Sequence, residues 1–181
     1  HGSYSYQDLL VAMERSHHGK KWFEAHQALH QEDSFMLNLR QYVDFLNLLK
    51  SGNAFDGNGS SIAPQRLEEI FNDILEVRNP YRSEWLDADF KVNPTDKSLM
   101  INYDHRTVNG KLQPGNSEKL EGYLGGNRLP GIDLDEWLTR ATIHGLPPSK
   151  IKKGELYYYA PMRDNNSIAR FVADSGRAVL V

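Results

Sequence analysis

Along the first 80 residues the apolar positions recur with a helical period, and beyond Pro80 they recur with the period of a strand. Tyr6, Leu9, Leu10 and Met13 fall at i, i+3, i+4 and i+7 behind a Ser5 and Asp8 capping signal, which predicts an amphipathic helix over about 5–16. Trp22, Phe23, His26, Leu29 and His30 predict a second helix after the His18-Gly19 break. The stripe Leu39, Tyr42, Val43, Leu46 and Leu49 is the strongest of all, and Ser51-Gly52-Asn53 supplies its stop. A turn-rich Asp56-Gly57-Asn58-Gly59 follows. Pro64 then stands at a first helical position, and Leu67, Ile70, Phe71 and Ile74 carry a helix that must end before Pro80.

Leu86, Ala88, Phe90 and Val92 alternate with Asp87, Asp89 and Lys91, the signature of a half-buried strand whose aspartates face solvent. Asn93-Pro94-Thr95-Asp96 turns the chain into a returning strand, Leu99-Met100-Ile101-Asn102-Tyr103, and Asn109-Gly110 marks another tight turn. Residues 117–124 predict a short helix ending at Gly125-Gly126. Asp133 and Glu136 cap a better one carrying Leu134, Trp137, Leu138 and Ala141, closed by His144-Gly145 and Pro147-Pro148. Three strand-like runs follow at 155–160, 167–173 and 177–181. Helices succeeded by antiparallel strands with helical insertions make the expected class α+β.

Composition narrows the classes further. A chain of 181 residues with 39% apolar and 25% charged positions is long enough for one well-packed core and too apolar for disorder. No apolar run approaches the length of a membrane span. The net charge of −3 carries no basic footprint for nucleic acid. Cysteine is absent, which removes disulfides, thiolate nucleophiles and Cys-ligated metal sites. The opening His1-Gly2-Ser3 reads as a tag remnant, with no signal-peptide core behind it. The expected organisation is the remnant 1–3, a helical region 4–79 and a second region 80–181.

Several groups of residues invite chemistry. His26 and His30 stand at i, i+4 on a predicted helix, near Glu24 and His17-His18, a spacing that lets one helix face ligate a metal. The His-Glu-x-x-His general base is missing, because positions 27 and 28 are Gln and Ala, and a solvated or partly packed histidine face accounts for the same spacing. Asp56, Asn58 and Ser60 imitate the start of a calcium loop, but Ser61 replaces its glycine and Leu67 its bidentate carboxylate, so a polar turn is expected. The pair Asp87 and Asp89 reads as the wet side of a strand, and Asp133, Asp135 and Glu136 as complements to a helix dipole. Tyr157, Tyr158 and Tyr159 fit equally a recognition surface and a core strand. No nucleophile elbow or phosphate-binding glycine loop occurs.

The C-terminal stretch Asn165-Asn166-Ser167-Ile168-Ala169-Arg170-Phe171-Val172-Ala173-Asp174-Ser175-Gly176-Arg177-Ala178-Val179-Leu180-Val181 resembles the variable region of diversity-generating retroelement variable proteins, particularly those of archaea and archaeal viruses. In such regions a fixed scaffold is interleaved with positions rewritten by a reverse transcriptase that misreads template adenines. The resemblance makes Ala169, Arg170, Phe171, Ala173, Ser175, Arg177, Ala178 and Leu180 the scaffold. It makes Val172, Asp174, Gly176, Val179 and Val181 the ligand-binding variable positions. All five are reachable from an Asn codon by changing its adenines.

The resemblance implies a C-type lectin fold over 80–181 and a non-enzymatic, receptor-like or adhesin-like protein that binds a protein or glycan at a cell or virion surface. It implies no cofactor, no metal, no nucleic-acid partner and no membrane span. Family members continue with a Cys and a Leu-Gly-Val-Arg-like ending, so the final strands of the lectin-like region are expected beyond Val181. Two alternatives stand beside it: a metal-dependent enzyme using His26 and His30, and a plain α+β structural or adhesin domain. A relative of the formylglycine-generating enzymes would need cysteines, and calcium-dependent sugar binding would need a Glu-Pro-Asn-like or Gln-Pro-Asp-like loop; neither is present.

Overall fold

A computed structural model describes residues 5–76, 83–93, 95–96, 98–120, 131–148, 156–157 and 169–174. Within them the chain runs α1 (Trp22–Gln31), α2 (Leu39–Ser51), α3 (Pro64–Leu75), β1 (Ser83–Val92), β2 (Leu99–Tyr103), β3 (Arg106–Val108), β4 (Lys111–Gln113), β5 (Asn116–Leu120), β6 (Gly131–Ile132), α4 (Leu134–Arg140), β7 (Leu156–Tyr157) and β8 (Ala169–Asp174). The class is α+β, with helices first and antiparallel strands after.

The helix boundaries follow from local chemistry. Asn38 caps α2 reciprocally: its side chain accepts from the Gln41 N–H at 3.0 Å, and Gln41 Oε1 accepts from the Asn38 N–H at 2.9 Å. Gly52, left-handed at φ 66°, ends that helix. Pro64 opens α3, where its missing N–H costs nothing. Asp133 caps α4 by accepting from the Glu136 N–H at 2.8 Å. Between α2 and α3, Asp56 Oδ1 accepts from the N–H groups of Asn58 (2.8 Å) and Ser60 (2.9 Å), so the calcium-like residues form a self-bonded turn.

Six strands form one sheet in the order β5-β2-β1-β8-β7-β6, and β3-β4 form a separate hairpin. Every pairing is antiparallel. Asn109 and Gly110, both at positive φ, make the tight turn of that hairpin. The main core joins α2, α3, α4 and the inner face of the sheet: Val43, Leu46, Leu67, Leu86, Ala88, Phe90, Ile101 and Trp137 are all buried in it. Trp137 Nε1 donates to the Gly145 carbonyl at 2.8 Å. Gly145 itself sits at φ 81° with the Leu39 backbone 2.5 Å from where a Cβ would stand, so only glycine fits. A smaller cluster of Trp22, Ala25 and Met36 seats α1, with Trp85 of β1 and Leu112 of β4 packed against it.

Three expectations need correction. Residues 5–16 form no helix: they run without regular structure, and Leu10 stays 82% exposed, because this stretch finds no apolar surface able to repay helix formation. Residues 116–120 form strand β5, paired with β2 from Leu99↔Leu120 to Tyr103↔Asn116, which replaces the first half of the helix expected over 117–124; residues 121–124 lie outside the described residues. Ladder bonds to β2 outweigh the weak helical pattern of an exposed, polar segment. The third concerns β1. Asp87 and Asp89 do not face solvent; they are 2% and 5% exposed. Both faces of β1 are covered, the Leu86, Ala88 and Phe90 face by α2 and its core, and the Asp87 face by α1 and the segment after β2.

The strands expected over 86–92 and 99–103 form, the first beginning three residues earlier, at Ser83. Of the three C-terminal runs, the structure describes β7 at 156–157 and β8 at 169–174; Tyr158, Tyr159 and 177–181 lie outside the described residues.

Candidate functional site

Two places on opposite flanks of β1 carry the residues of interest, and one irregularity serves both. Trp85 pairs with Val172 and Asp89 with Arg170, so Leu86, Asp87 and Ala88 together face the single residue Phe171. This is a β-bulge, a device that re-aims a side chain next to a site. Released from the β8 ladder, Asp87 bonds elsewhere: its N–H donates to the Leu37 carbonyl at 2.9 Å, and it forms a parallel bridge with Asn38.

The Asp87 carboxylate meets two imidazoles. Oδ1 shares a hydrogen bond with His105 Nδ1, and Oδ2 accepts from the His105 backbone N–H at 2.8 Å. His26 Nε2, from α1, lies 3.6 Å from the same Oδ1. The three side chains are at most 4% exposed. His105 arrives there because Asp104, directly after β2, adopts a left-handed φ of 55°, a conformation short polar side chains tolerate. That turn is tied down on all sides. Asn38 Nδ2 (3.0 Å) and Asn116 Nδ2 (2.6 Å) donate to its carboxylate, and the Gly115 N–H donates to its carbonyl at 3.0 Å. A Cβ at Gly115 would stand 2.7 Å from that carbonyl oxygen, which excludes any larger residue.

Trp22 forms one wall. Its ring lies edge-on to His26 (centroids 4.3 Å) and to His105 (5.0 Å), and its Nε1 donates to the Leu86 carbonyl at 2.9 Å. The two imidazoles are 5.5 Å apart by centroid. His30, one turn beyond His26 and 5.7 Å from it, is half-buried, with Nδ1 2.8 Å from Thr107 Oγ1. An open cleft of about 550 Å³, of a size that admits small molecules, is lined by His30, Asp33, Phe35, Asp87, His105 and Thr107 among others. A carboxylate bonded to one imidazole nitrogen orients that ring and leaves its other nitrogen for a proton or a metal.

The expected pairing of His26 with His30 is thus replaced. His26 is neither solvated nor partly packed: it is wholly buried, and its ligand atom stands within 4.8 Å of those of Asp87 and His105, a group that does not include His30. Sequence reading passed over both partners. His105 had no motif around it, and Asp87 was assigned to solvent by strand alternation; the available signal was an aspartate flanked by Leu86 and Ala88 in a chain already offering helix histidines.

The second place is β8. Val172 and Asp174 lie in it, opposite Trp85 and Ser83, while Gly176, Val179 and Val181 lie outside the described residues. Positions 172 and 174 alternate along β8 with 171 and 173, and position 170, expected as scaffold, is in phase with 172 and 174. The strand is paired along its length with β1 and, at Asp174 alone among the described residues, with Tyr157 of β7.

Comparison with known protein families, with curated proteins and with solved structures finds no match to this chain. Among the described residues no helix is long and apolar enough to cross a membrane.

Proposed function

We propose that the chain is a non-enzymatic ligand-binding protein of the retroelement-diversified kind, whose variable positions are Val172, Asp174, Gly176, Val179 and Val181. The observation that carries this reading is the setting of β8. Its backbone is paired with β1 from Ala169 to Asp174 and, at Asp174, with Tyr157 of β7, so the strand is held by groups that do not depend on side-chain identity. Such a strand supports exchange of residues at 172 and 174 while the alternating positions 169, 171 and 173 stay constant. A strand paired along its length with a long, well-packed β1 is the kind of rigid scaffold from which variable binding residues are best presented.

The ligand on this reading is a protein or glycan at a cell or virion surface, since exchangeable side chains interleaved on a fixed frame make a recognition surface. Sequencing the gene with its flanking DNA tests it. The reading expects a nearby template repeat that matches the 165–181 coding segment and differs from it at adenines, in the codons for 172, 174, 176, 179 and 181. Absence of a repeat, or differences scattered over scaffold codons, removes the reading.

A further inference from the structure

Outside the variable strand, the densest gathering of ligating atoms among the described residues is the junction of α1, β1 and the turn after β2. We propose that His26, Asp87 and His105 form a binding site for a zinc-class divalent transition-metal ion. Their ligand atoms, one per residue, all lie within 4.8 Å of one another. Two donors on one tetrahedral zinc, each about 2.0–2.1 Å from it, stand roughly 3.3 Å apart. His26 Nε2 and Asp87 Oδ1, at 3.6 Å, are already near that separation.

The donor chemistry selects the class of ion. Two imidazole nitrogens with one carboxylate suit zinc and its neighbours, whereas magnesium and calcium favour all-oxygen sets. Burial points the same way. A carboxylate 3% exposed needs positive charge beside it, and among the described residues its ion-pair partners are the two imidazoles. A divalent ion supplies that charge with both rings neutral. On uptake, the hydrogen bond between His105 Nδ1 and Asp87 Oδ1 opens to admit the ion; His105 binds through Nδ1 as the neutral Nε2–H tautomer, the displaced proton passing to Nε2 or, from an imidazolium ring, to solvent.

The surroundings are built as a supporting shell. The His105 N–H holds Asp87 Oδ2, Trp22 packs edge-on against both rings, and Asn38 and Asn116 fix the Asp104 turn that delivers His105. Asp87 and His105 line the open cleft, so a fourth ligand, water or an atom of a bound molecule, reaches the ion from that side. Ligands from three elements separated by 61 and 18 residues (87 − 26 and 105 − 87) make the ion a clamp of α1 onto the sheet.

The inference concerns residues outside 165–181, and its outcome is distinguishable from that of the variable-region reading. The full chain, free of any polyhistidine tag and stripped with chelator, is titrated with zinc sulfate while metal content, heat and thermal unfolding are followed. One zinc per chain is expected, with Tm raised by roughly 5–10 °C at a hundredfold excess over Kd. Asp87→Asn and His26→Gln, checked for folding by circular dichroism, are expected to weaken binding at least tenfold, and His144→Ala to leave it unchanged. Zinc bound equally well by folded cluster variants overturns the proposal. Where a cluster variant fails to fold, the wild-type titration decides: no zinc taken up, or zinc taken up with no rise in Tm, overturns it.

Discussion

The two flanks of β1 hold their residues in place by opposite means. At the His26–Asp87–His105 junction the side chains are the structure: each is buried, each comes from a different element, and each is positioned by a contact to another. At β8 the backbone is the structure, paired along its length with β1 and at Asp174 with β7, and the register is expected to survive a change of side chain at 172 or 174. A bulge of three residues against one separates the regimes, turning Asp87 away from the ladder that β8 shares with Trp85 and Asp89. The difference teaches that one strand is flanked by a site specified by side chains and by a neighbouring strand specified by main-chain bonds.

The sharpest way to break this contrast is at Asp87. Replacement by Ala removes the carboxylate that His105 bonds through both its ring and its N–H and that lies beside His26, and is expected to cost about 3–5 kcal/mol, read as a lowered urea midpoint. Trp22→Phe keeps most of the wall but deletes the bond to the Leu86 carbonyl, and about 1–2 kcal/mol of stability should go with it. On the other flank, Val172→Thr and Asp174→Asn should each change stability by less than about 1 kcal/mol in the same assay. A loss there matching that of Asp87→Ala would erase the distinction.

The smallest effect belongs to an exposed control, Asp96. Its carboxyl is lowered from 3.8 to about 2, chiefly by the hydrogen bonds from the Ser98 hydroxyl (2.7 Å) and N–H (3.0 Å), with Lys119 adding to it. A depressed carboxyl stabilises the fold above its unfolded value, and that contribution disappears as the pH falls from 3.8 to about 2. Asp96→Asn should therefore be slightly less stable than wild type at neutral pH and indistinguishable from it near pH 2. A difference that persists at the acid end would contradict the assignment.

What the sequence displayed well was local. The stripe ending at Gly52, Pro64 at the head of α3, Asp133 as a cap and the 99–103 strand all rest on short-range chemistry, and they fall where expected. What it concealed was tertiary. The period-2 alternation of 86–92 is a property of the strand, but whether Asp87 meets water or histidine depends on α1 arriving on that face from 61 residues away. Likewise the apolar period of 5–16 is present, yet no partner surface rewards it, and 116–120 becomes strand because β2 offers an open edge. Of the cluster, His26 was visible from its helix spacing, whereas Asp87 and His105 are joined only by a bulge and a left-handed turn.

A scan of all single substitutions at positions 26, 87, 105, 172 and 174, scored by the folded fraction of the full chain displayed on a cell surface, tests the contrast most directly. The account predicts that 172 and 174 accept most side chains with little loss of folded protein, while 26, 87 and 105 accept almost none. Intolerance at 172 and 174 equal to that at 87 and 105 would contradict it.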